Sequence, residues 1–274
     1  MDGPVLVGVD GSTTSMAAVE CAAWEADRTG VELRLVYACD WPAAPVAPGV
    51  PPWDPGGART HRPAHAGLAE ARRRARAVAP GVRVSHAVLM GDPAAVLESE
   101  SRGASLTVIG SRNAPRSGHG RRGSVAARLA AHGGSPVLMV RGGPDPNGPV
   151  VLSCNNGQVA VRAAEFAFAE ASARTADVVV LDGLGARDGR PRTGSPDPLA
   201  ALRQRYPDVV VRRPRFRGSG RRAVVEASGA AQLVVIGTSR RGGRRTALPD
   251  AVGRAALRQA ECPVAVIPEH RDTR

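Results

Sequence analysis

The sequence contains no lysine: all 37 of its basic residues are arginine. Aromatic residues make up only 3% of its 274 positions, whereas alanine, glycine and proline abound, a bias of the kind a GC-rich coding sequence imposes. Scarce aromatics remove the stacking platforms that single-strand nucleic-acid binders need. The formal charge of +12 therefore reads as a solvated basic surface, and no specific nucleic-acid partner is expected. Cys21, Cys39, Cys154 and Cys262 lie far apart and form no CxxC pair. That excludes a zinc knuckle and a disulfide framework, and points to reduced, buried thiols. Apolar runs are short: Val178 to Leu181 falls far below a bilayer span, and the opening MDGPVLVGVD lacks a charged leader with an apolar signal core. A soluble cytoplasmic protein without membrane contact is expected.

Catalytic signatures are missing as well. The chain has no GxxxxGK[ST], no HExxH, no GxSxG and no SGGxDS loop, so no catalytic residue is assigned. His61 and His65 stand four apart and flank Pro63, in what reads as a loop, and no metal site is assigned to them. His119 reads as solvent-exposed, and His86 and His132 as structural or surface residues.

What the chain does have is a repeat. GPVLVGVDGSTTSMAAVECAAWEA from Gly3 lies ungapped over GPVVLSCNNGQVAVRAAEFAFAEA from Gly148, at an offset of 145. SLTVIGS from Ser105 lies over QLVVIGT from Gln232, and SPVLMV from Ser135 over CPVAVI from Cys262, both at an offset of 127. The difference of 18 residues corresponds to the proline-dense segment from Cys39 to Gly57, which reads as an irregular loop. Two copies of this length are duplicated domains and not a solenoid. Residues 1–142 are assigned to the first domain, 143–148 to a linker, 149–270 to the second domain and 271–274 to a tail.

Within the first copy, strands and helices alternate. Val5 to Asp10, Val31 to Ala38, Val82 to Met90, Ser105 to Gly110 and Pro136 to Val140 read as strands. Ser12 to Ala26, Ala64 to Val78, Pro93 to Ser101 and Ser124 to Ala131 read as helices. Short Val- and Leu-rich strands separated by helices imply right-handed crossovers and a parallel sheet covered on both faces. The fold class is thus α/β, with two tandem doubly wound domains of five parallel strands each.

Four blocks carry a family likeness: VLVGVDGS at the first strand, MGDPAAVL from Met90 to Leu97, VIGSRN followed by Gly123-Ser124, and the closing SPVLMV. In this order they resemble the universal stress protein family, over nearly the whole chain and in tandem. The resemblance implies a strand order of 3-2-1-4-5 in each copy and a regulatory, stress-linked protein that binds ATP, with magnesium as an accompanying ion and at most slow hydrolysis. The family's nucleotide-binding form looks like G-x2-G-x9-G-[S/T]. Here Gly110 is followed by Asn113 in place of the second glycine, then by Gly123-Ser124 after nine residues.

The physics of the residues points the same way. In open α/β sheets ligands sit beyond the carboxyl ends of the strands, where the strand order reverses. Asp10 and Gly110 end the two strands that the order makes neighbours there. Gly110 would admit close backbone approach, and Gly123, Ser124 and Val125 would present the N–H groups of a helix start to an anion. Arg112 would meet phosphate charge, with Arg116, Arg121 and Arg122 as exposed loop residues beside it, and Asn113 tolerates the left-handed backbone a glycine would take. Asp10 would accept hydrogen bonds from ribose or adenine; a turn or cap role suits it equally.

At the matching positions of the second copy Asp10 becomes Asn155, Asn113 becomes Arg240, Gly123 becomes Asp250 and Ser124 becomes Ala251. Asp250 would cap the last helix itself and repel a phosphate, so that site is expected to be degenerate. Arg240, Arg241, Arg244 and Arg245 remain there, and the second half carries +8 of the +12 net charge. The alternative function is a nucleotide-independent protein-interaction module with both sites vestigial. An unidentified protein partner is expected in either case. The family resemblance also implies association through the apolar segments Val137 to Val140 and Val264 to Ile267, as an intrachain pseudo-dimer or a homodimer.

Overall fold

The computed structural model describes residues 3–39, 57–111, 125–143, 145–154, 160–181, 198–214, 216, 219–238 and 249–268, with the backbone alone at 57–62. Two compact units emerge. One holds Met1–Leu129 and Gly133–Val140; the other holds Ala130–His132 and Arg141–Arg274.

In the first unit β1 (Val5–Val9), α1 (Thr13–Thr29), β2 (Leu33–Cys39), α2 (Gly57–Val78), β3 (Val84–Met90), α3 (Pro93–Glu100), β4 (Leu106–Gly110), α4 (Val125–His132) and β5 (Val137–Val140) follow one another. Its strands run parallel in the order β3-β2-β1-β4-β5. The second unit contains β6 (Val150–Ser153), α5 (Val161–Ala173), β7 (Val178–Leu181), α6 (Ala200–Arg205), β8 (Val211–Arg212), α7 (Gly220–Ser228), β9 (Leu233–Gly237), α8 (Ala251–Gln259) and β10 (Val264–Ile267). There the order is β8-β7-β6-β9-β10, again all parallel. Each copy is therefore a doubly wound α/β domain of order 3-2-1-4-5.

Parallel strands covered by helices bury both faces, which is why these segments lack polar alternation. Val5, Leu6 and Val7 of β1 are buried, as are all four residues of β6. The helix on each central strand buries a glutamate at the same register. Glu25 is paired with Arg28 at 2.6 Å, and Glu170 with Arg174 at 3.0 Å. A buried carboxylate needs such a partner, and the two copies recruit it one position apart, at i+3 in the first and i+4 in the second.

Pro63 departs from the expected loop, because α2 starts at Gly57 and carries the proline inside it. Proline removes one backbone hydrogen bond there. The helix persists because Ala64, Leu68, Ala71 and Ala75 form a fully buried stripe at helical spacing, and tertiary packing outweighs the local cost. Among the described residues no group of three or more His, Cys, Asp or Glu is placed to hold a metal ion, and no helix is long and apolar enough to cross a membrane. Cys39, Cys154 and Cys262 are buried and in no disulfide, while Cys21 is half-buried; burial pushes the Cys262 thiol up to about 12.

The glycine that ends β4 is a packing glycine. A β-carbon built at Gly110 would stand 2.3 Å from the Thr14 carbonyl oxygen and 2.8 Å from the Ser15 nitrogen, both in the first turn of α1. The second unit repeats the arrangement: a β-carbon at Gly237 would lie 2.5 Å from Cβ of Ala160, the residue that matches Ser15. Backbone cannot yield as a side-chain tip does. Gly110→Ala is therefore expected to lower the unfolding free energy in urea by about 1–3 kcal/mol; an unchanged denaturation midpoint would contradict the packing role.

Candidate functional site

The carboxyl ends of β1 and β4 lie side by side, with Val5 level with Leu106 and Val7 with Val108. Strand order reverses across this pair, so a crevice opens beyond it. Asp10 follows β1 directly, is exposed, and shapes the turn into α1. Its Oδ1 accepts the Ser12 backbone N–H at 3.0 Å and the Ser12 hydroxyl at 2.6 Å. Ser12 in turn caps α1, accepting from the Ser15 N–H at 3.2 Å. Gly11, between them, takes a left-handed backbone with φ of 79°. The turn reading of Asp10 is thus what the geometry displays; the Ser12 donors use one of its two carboxylate oxygens.

Gly110 stands at the end of β4, but α1 fills the space its missing side chain leaves. The missing side chain at this position is therefore explained by the packing of α1. Val125 opens α4 and is half-buried. Arg112, Asn113, Gly123 and Ser124 lie outside the described residues, as do His119, Arg116, Arg121 and Arg122.

Tyr37 was not singled out by the sequence reading. It sits near the carboxyl end of β2, level with Val9 of β1, and a β-carbon at Gly67 of α2 would touch its ring at 3.5 Å. Burial, then the charges of Cys39 and Asp10, raise its phenol above the ordinary value. Asp10 and Tyr37 thus feel one another across adjacent strands. The available signal was an aromatic, one of two tyrosines in the chain, near the end of a strand bordering the switch point.

The second unit differs at the corresponding helix. Asp250 adopts an extended backbone and its Oδ1 accepts the Gly253 N–H at 2.8 Å, capping α8. Arg254 adds a hydrogen bond from Nη1 to the Pro249 carbonyl at 2.9 Å. The N-terminus of α8 already has an anion of its own, so its dipole is answered from within the chain. Asn155, Arg240, Arg241, Arg244 and Arg245 lie outside the described residues.

With this geometry in view, the comparisons with known proteins are direct. The model of the Universal stress protein family matches residues 1–141. The chain belongs to the universal stress protein family. Universal stress protein Rv2623 of Mycobacterium tuberculosis is 31% identical over 291 residues, covering 97% of this chain and 96% of its own length. Universal stress protein Rv2005c of the same organism is 30% identical over 287 residues, with 96% of each chain covered. A universal stress protein from Archaeoglobus fulgidus shares the fold, with a TM-score of 0.70 at 18% identity over 97% of this chain and 98% of that one. The family is therefore shared along the full tandem arrangement.

The Asp250 cap yields a measurable expectation. Asp250→Ala should cost about 1 kcal/mol of stability, the usual loss for an N-cap carboxylate. Chemical denaturation followed by circular dichroism measures it, and no loss would mean that the cap is not holding α8.

Proposed function

We propose that this universal stress protein is an adenine-nucleotide-binding regulator whose nucleotide site lies in the first unit alone. The observation that carries the reading is the contrast at the helix after the fourth strand. In the second unit Asp250 supplies the anion that α8 needs. The matching position in the first copy is Gly123, followed by Ser124, neither of which brings negative charge. A helix start without an acidic cap suits an external phosphate. In this reading ATP is the ligand, with magnesium accompanying it, and Asp10, Gly110, Arg112, Asn113, Gly123, Ser124 and Val125 form its surroundings. The protein acts by changing the surface it shows to a protein partner when nucleotide is bound, and not as an enzyme.

A second reading, an interaction module without nucleotide, is favoured by one fact. The glycine ending the fourth strand is explained by packing in both units, including the one whose helix caps itself. Native mass spectrometry of the intact chain with ATP titrated in separates the two. The proposal expects one nucleotide per chain, lost in Gly123→Asp; no bound nucleotide in the wild type would leave the interaction module as the function.

A further inference from the structure

The first unit ties α4 to α3 by a set of contacts that the second unit has dropped. Arg128, in the first turn of α4, donates from Nε to Glu98 Oε2 at 2.9 Å and from Nη1 to Asp92 Oδ1 at 3.3 Å. Asp92 is also the N-cap of α3, its Oδ1 accepting the Ala95 N–H at 3.0 Å. One arginine thus grips both ends of α3 from the start of α4. Carried over at the offset of 127, Asp92 becomes Ser219, Glu98 becomes Val225 and Arg128 becomes Ala255. The ion pairs are thus lost together, while Ser219 keeps the cap, its hydroxyl accepting the Arg222 N–H at 3.4 Å. In the second unit α7 packs directly against α8, and Ser219, Arg222, Val225, Glu226 and Ala255 line a shallow surface cleft there.

The two copies therefore secure this helix in opposite ways. In the second unit Asp250 and Arg254 fix the start of α8 from inside its own first turn. In the first unit Arg128 fixes α4 from the side, through Glu98 and Asp92. An eight-residue helix is too short to hold its own position in water, so its neighbours set where its first turn points. A tether in that turn decides whether the N–H groups converge on a common point, and sub-ångström placement matters for charge recognition.

We infer that Arg128 is a positioning residue, holding the first turn of α4 against α3 through Asp92 and Glu98 so that the helix start is oriented for the phosphates of the nucleotide. This rests on the nucleotide reading of the first unit. It adds a residue that does not touch the ligand and that the phosphate-loop pattern does not include.

Calorimetric titration of ATP into the full chain, paired with ligand-free melting, tests the inference. Arg128→Ala is expected to weaken ATP binding about five- to tenfold while leaving the ligand-free melting temperature nearly unchanged, because a partly exposed ion pair contributes little to global stability. Arg128→Lys, which keeps the charge, is expected to recover part of the affinity. Equal affinities for wild type and Arg128→Ala would overturn the positioning role while leaving the nucleotide site standing. A loss in Arg128→Ala matched by a fall in ligand-free melting, without recovery in Arg128→Lys, would also overturn it, as general destabilisation. A wild-type chain that takes up no ATP would overturn the site and the inference together.

Discussion

The first turn of an α-helix presents backbone N–H groups that no carbonyl of the same helix can reach, and something must answer them. At the helix after the fourth strand the two halves of this chain face that requirement with different residues. The second half answers with Asp250, whose carboxylate accepts the Gly253 N–H. The first half has glycine and serine at the matching positions and no acid. The strand order brings β1 and β4 together, and ligands of open parallel sheets sit beyond the carboxyl ends of such a pair. The contrast between two copies of one fold is a stronger warrant than either loop alone, because the shared architecture cancels.

Packing sets the frame in which this contrast matters. Gly110 and Gly237 are both occupied by the helix that follows the first strand, so the glycine common to both copies belongs to the domain's assembly. The differences cluster: an acid arrives at position 250, and the ion pairs of Arg128 with Asp92 and Glu98 have no counterpart among Ser219, Val225 and Ala255. The cap of Asp250 holds α8, and Arg128 ties α4 to α3.

Much of the fold was legible in the sequence because its signals are periodic and repeated. Val- and Leu-rich runs marked the central strands, and the ungapped match from Gly3 over Gly148 announced the duplication. Pro63 misled, since a local rule about proline was outweighed by the buried stripe of Ala64, Leu68, Ala71 and Ala75, which only the packed structure displays. The capping role of Asp250 was legible because capping is a local interaction spanning three residues. The packing role of Gly110 was hidden: the atoms that crowd it come from Thr14 and Ser15, nearly a hundred residues earlier. Tyr37 and the grip of Arg128 on Glu98 and Asp92 were hidden for the same cause, because both depend on neighbours distant in sequence.

The central claim is that the nucleotide belongs to one particular half of the chain. Photolabelling the intact protein with an azido derivative of ATP, followed by peptide mapping, tests that location. The account predicts label on peptides from residues 1–141, competed away by unmodified ATP, and none on peptides from 149–268. Competable label on the peptide carrying Asp250 would contradict it, because the capped helix would then be receiving the phosphates that its own carboxylate should exclude.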